Sequence, residues 1–112
     1  MRFRRALDRG NVTEALSAAS ELQFIALAEA LELILLLADR EPEKYERAAV
    51  RWHRRFAQEV PHVELRESLA VIALLAAIPA NRLAAAALAE LLSRRRSCER
   101  IAEALVRWSR KK

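Results

Sequence analysis

Between residues 24 and 40 the large apolar side chains fall at Leu27, Leu31, Ile34 and Leu35, with Leu33, Leu36 and Leu37 filling the flanks. Spacings of three and four are helical, and an apolar surface this wide predicts a central helix covered on more than one side. The pattern returns further along the chain. "LAEALELILLLA" from residue 27 and "LRESLAVIALLA" from residue 65 match at Leu27/Leu65, Glu29/Glu67, Leu31/Leu69, Ile34/Ile72, Leu36/Leu74, Leu37/Leu75 and Ala38/Ala76, a constant offset of 38 residues. An offset of this size lies within the range of helical-hairpin repeats that stack as α-solenoids, about 34 to 47 residues. Two copies are fewer than such arrays need.

The remaining elements follow from caps and breakers. A short first helix is predicted over 2–9, broken at Gly10. Asn11 then caps a second helix that runs to Ser20 or Leu22, with Glu14 placed to close a capping box. Pro42 fits the first turn of a fourth helix, 42–59. There Tyr45, Ala48, Ala49, Trp52, Phe56 and Val60 form the buried stripe, while Lys44, Arg47, Arg51, Arg54 and Arg55 take the other faces. Pro61 separates this helix from the fifth, 64–78, and Pro79 and Asn81 precede "RLAAAALAELLSRRR". Ser97 is the expected cap of a last helix, whose stripe is Ile101, Leu105 and Trp108. "AAVRWHRRF" and "ALVRWSRKK" are thereby explained alike. Trp52 and Trp108 anchor their helices at the core edge, and the arginines lie outside.

Composition turns this pattern into a fold class. The chain has 112 residues, 54% of them hydrophobic, with one Gly and three Pro. Few turn formers and an excess of Ala and Leu predict an all-α protein. The expectation is one domain, residues 1–112, with six to seven helices packed as helical hairpins in a compact, solenoid-like bundle. Aromatic residues make up only 5%, so the core must be aliphatic. The longest uncharged run, "SLAVIALLAAIPAN", falls short of the ~20 residues of a membrane span. No apolar segment follows the basic N-terminus as a signal peptide would require, and the lone Cys98 precludes an intrachain disulfide. The sequence therefore reads as cytoplasmic, without membrane contact.

Charge adds a direction. Residues 94–112 carry eight basic and two acidic side chains, the preceding residues twelve and thirteen, so the net charge of +5 belongs to the C-terminal end. Arg94, Arg95, Arg96, Arg107 and Arg110 are the first candidates for contact, with Arg100, Lys111 and Lys112 beside them. Arg51, Arg54 and Arg55 form a second candidate face. Such a basic end suits nucleic-acid phosphates, with steep salt dependence, but "SRRRS" supplies no helix-turn-helix glycine turn.

Residues 6–22, "ALDRGNVTEALSAASEL", resemble the inter-helix turn of a tetratricopeptide repeat at Ala6, Leu7, Gly10, Asn11, Glu14, Ala15, Leu16, Ala19 and Leu22. The motif's Trp and terminal Pro are missing. The resemblance implies helical hairpins and, in that family, binding of partner peptides. The whole chain also resembles small all-helical actinobacterial proteins through "RALDRGNVTEAL", "LAEALEL", "YERAAVRWHRRF", "EVPHV" and "LAELLSRRRS". That similarity implies the fold and no activity.

Catalytic candidates are few. His53 and His62 stand nine apart across a helix end, without the i,i+4 geometry of a helical metal pair. Cys98 sits at a predicted helix start beside three arginines, a setting that lowers a thiol pKa, yet no catalytic partner accompanies it. Glu29 and Glu32 read as solvated surface. The expected function is therefore a non-catalytic helical interaction module that binds a protein partner or forms a homodimer, without cofactor or metal. Nucleic-acid binding through the basic end is the first alternative. An apolar small-molecule site between helices is the second. Helices 24–38 and 65–78 are apolar nearly all round, and six helices have difficulty covering both; an exposed apolar patch is the feature that would favour protein contact.

Overall fold

The first helix stops where the backbone turns left-handed. Gly10 has φ of +71°, its N–H donates to Leu7 O, and the Asn11 N–H reaches back to Ala6 O. These two bonds form a Schellman cap, which favours glycine at that position. The Asn11 side chain accepts from the Glu14 N–H and starts the next helix. The reciprocal half of the expected capping box is not made. The Asn11 N–H is already spent on Ala6, and the Glu14 carboxylate turns to Arg9 at 3.0 Å.

A computed structural model describes residues 2–111. Seven α-helices follow one another: α1 (Arg2–Arg9), α2 (Val12–Ser20), α3 (Leu27–Arg40), α4 (Tyr45–Glu59), α5 (Leu65–Ala77), α6 (Arg82–Leu92) and α7 (Glu99–Arg110). Single 3₁₀ turns at Pro42–Lys44, Ile78–Ala80 and Arg96–Cys98 lead into α4, out of α5 and into α7. The described residues include no strand. The third helix starts at Leu27 rather than near residue 24, because Ala26 is extended and Phe24 stays 70% exposed. Arg96–Cys98 is already wound as a 3₁₀ turn, so Ser97 does not cap α7.

The hairpins α1–α2 and α6–α7 flank a centre made by α3, which packs against α4 and α7. In a solenoid each hairpin touches only its neighbours. Here α7 returns onto α3, so the hairpins close into a bundle of 36 × 31 × 23 Å. The main core joins α3 to α7 through Leu31, Leu35, Phe56, Leu75, Leu88 and Leu105. A smaller core holds α1 to α2 through Phe3, Ala6, Ala15 and Ala18, with Leu33 of α3 packed against it. Arg4 of α1 secures that hairpin by a two-pronged bond to the Glu32 carboxylate of α3, at 2.8 and 2.7 Å. Among the described residues no side-chain polar atom is buried without a partner.

Candidate interaction surface

The two copies of the repeated pattern meet different fates. In α3, Leu31 and Ile34 are buried in the core. Their counterparts in α5 are Leu69, 58% exposed, and Ile72, only partly buried. Leu27 is partly covered while Leu65 is 76% exposed. Of the seven matched pairs, Leu37 and Leu75 alone are buried on both helices. The physical reason is placement: α3 runs through the middle, whereas α5 packs chiefly on α4, α6 and the turn that follows it.

The uncovered side of α5 carries Leu65, Arg66, Leu69, Ala73, Ala76 and Ala77, all exposed, and Arg66 is its single charge. Val50 of α4 extends it, half exposed, across a groove of about 360 Å³ lined by Tyr45, Glu46, Ala49, Ile72, Ala76 and Pro79. Leu83, at the start of α6, is 75% exposed. Single exposed apolar side chains are ordinary on a soluble monomer, whereas a contiguous apolar patch marks a contact surface.

The basic candidates divide by what they touch. Arg95 is not available for outside contact. It grips both oxygens of Glu67 and donates to the Pro61 and His62 carbonyls, tying the segment between α6 and α7 to the first turn of α5 and the turn before it. Arg55 is also engaged, with Glu59, the Ile25 carbonyl and the Phe24 ring. The physical reason is the same in both cases: loop carbonyls and a carboxylate lie within reach and satisfy the guanidinium. Arg94, Arg96 and Arg110 are exposed, as are Arg51 and Arg54. Arg107 is exposed and stands 3.8 Å from Glu32. It lines a cleft of about 500 Å³ with Arg4, Arg100 and Lys111, interleaved with Asp8, Glu32 and Glu103. Lys112 lies outside the described residues.

The Arg95–Glu67 pair carries a pH signature. Bonding to Arg95 holds the Glu67 carboxyl below its ordinary pKa despite partial burial. A depressed carboxyl stabilises the fold above its unfolded pKa and loses that contribution as pH falls through the folded value. Urea midpoints of the wild type should therefore fall on acidification below the ordinary glutamate range. Glu67→Gln should start lower at neutral pH and fall less; parallel curves would refute the assignment.

Both tryptophans are buried and hydrogen-bonded. Trp52 donates its indole N–H to Leu27 O at 2.9 Å and stacks on Phe56, with centroids 5.5 Å apart. Trp108 donates to Asp39 at 2.8 Å, and the Arg82 guanidinium lies 3.9 Å above its ring. His53 Nε2 lies 3.0 Å from the Ser68 carbonyl, a bond between α4 and α5. His62 takes a positive φ of 58° in the turn. No group of three metal-ligating side chains occurs among the described residues.

Cys98 departs from the sequence expectation. The 3₁₀ turn points it inward, it is fully buried, and burial pushes its thiol pKa up against the smaller influence of Ser97 and Arg95. The folded protein should therefore react slowly with Ellman's reagent at mildly alkaline pH and release one equivalent rapidly in denaturant. Fast reaction of the native state would contradict this placement.

A second cleft, of about 730 Å³, runs between α6 and α7 over a floor of Ala89 and Ala102, with Glu90, Glu99 and Glu103 around it. Most of its lining is apolar, Ala86 and Val106 included, but it lies open to solvent rather than enclosed. No helix among the described residues is long and apolar enough to cross a membrane. Comparison of the chain with protein-family models, curated proteins and solved structures finds no match.

Proposed function

We propose that this chain is a non-catalytic helical interaction module, acting in the cytoplasm, whose contact surface is the outer face of α5. One observation carries the reading. A helix with the same apolar pattern as the central α3 keeps Leu65 and Leu69 in solvent, in a row with alanines and one charge. Exposed leucines in such a row cost solubility unless a partner covers them. The test is a photoreactive residue placed at position 69, with position 47 of α4 as control, in cells that express the chain. Adducts that form at 69 and not at 47 are expected. Adducts at neither position, or at both equally, would refute the assignment.

The exposed Arg94, Arg96 and Arg100 favour a second reading, contact with nucleic acid through the basic end. In that case anisotropy titrations would show binding that weakens steeply with salt and is reduced by Arg94→Ala and Arg96→Ala together. Arg95 does not enter that test, since its loss would also break the bond to Glu67.

A further inference from the structure

The outer face of α5 is graded along its length: Leu65 and Leu69 occupy the N-terminal half, and Ala73, Ala76 and Ala77 the C-terminal half. Given that α5 is the contact surface, we infer that its occupant is α5 of a second copy, running antiparallel about a two-fold axis between Leu69 and Ala73.

Three arguments select this occupant and direction. The first is shape. Antiparallel pairing centred there sets Leu69 of each copy against Ala73 of the other and Leu65 against Ala77, so large side chains enter the spaces left by small ones. Parallel pairing stacks leucine on leucine and leaves a void between alanines.

The second is charge. Two copies, each at +5, repel at a distance, so self-contact belongs on a face that carries little charge. Arg66 is the only charge in the row, and Glu46 lines the groove at its flank. Antiparallel pairing lays Arg66 near Ala76 of the partner, by the C-terminal carbonyls of that α5, where a cation is favoured. Parallel pairing brings the two Arg66 side chains together.

The third is size. The row has six residues, with Val50 at its flank, against the roughly 20–30 residues a side of a standard interface. The pair is therefore weak and reversible. A two-fold contact is also closed, so it ends at the dimer.

The test uses the full chain. Sedimentation equilibrium should show a monomer–dimer equilibrium, weakened at least tenfold by Leu69→Glu and unchanged by Leu16→Glu, which alters a leucine 36% exposed on α2. Both sites face solvent, and circular dichroism verifies that each variant stays folded. Direction is read by mild oxidation of Leu69→Cys and Ala73→Cys chains, with Cys98 left in place because it is buried. The mixture should yield disulfide-linked heterodimer in excess of what either variant forms alone. Self-linking of each variant without the mixed product would overturn the antiparallel arrangement. A wild-type chain monomeric to millimolar concentration would overturn the second copy as occupant while leaving α5 as a surface for another protein. A dimer that survives Leu69→Glu and links through neither cysteine would overturn the α5 reading itself.

Discussion

Trp108→Ala should lower the unfolding free energy by about 3–5 kcal/mol, a large share of the about 5–15 kcal/mol that such a domain possesses. Three losses coincide. The indole fills a site only 7% exposed; its N–H bond to Asp39 joins residues 69 apart in the chain; and the ring is the platform on which Arg82 lies. Arg82 also donates to the Trp108 carbonyl at 2.7 Å and to Asp39 at 3.0 Å, so α3, α6 and α7 meet at one cluster. Trp108→Phe should cost much less. It keeps most of the ring packing, and Asp39, one-third exposed, retains Arg82 and gains water. Urea denaturation followed by circular dichroism compares the two. Equal losses would mean that the hydrogen bond, not the packing, dominates.

Trp52→Ala should be of similar size, again about 3–5 kcal/mol. Trp52 is 2% exposed and lies against the fully buried Phe56, so truncation opens a cavity in the middle of the core. It also removes the indole bond to the Leu27 carbonyl at the first turn of α3. The readout that separates the two sites is amide exchange. Trp52→Ala should loosen the start of α3, and Trp108→Ala the last turn of α7. Identical exchange patterns would contradict the distinct roles assigned to them.

The outline of the fold was legible because its breakers are local. Gly10, Asn11, Pro42, Pro61, Pro79 and Asn81 mark helix boundaries by backbone chemistry that needs no distant partner. Phe24 was less readable: it extends the apolar run before α3 yet sits outside the helix, beneath Arg55. Arg95 was indistinguishable from Arg94 and Arg96, since its carboxylate partner lies 28 residues away. Cys98 misled because the expected helix start is a 3₁₀ turn that faces the thiol inward, where burial outweighs the neighbouring arginines. The contrast between α3 and α5 was invisible for a deeper reason. Periodicity reports the face a helix is able to bury, and only the packing of the other helices decides whether that face is covered.

The measurement that bears most directly on α5 as a self-contact surface is leucine-methyl NMR of the wild-type chain, diluted from millimolar to micromolar. The account predicts that the Leu65 and Leu69 methyl signals shift with concentration, while those of Leu16 and Leu22, exposed on the far hairpin and just beyond it, do not. Shifts confined to Leu16 and Leu22, or spectra that do not change with dilution, would contradict it.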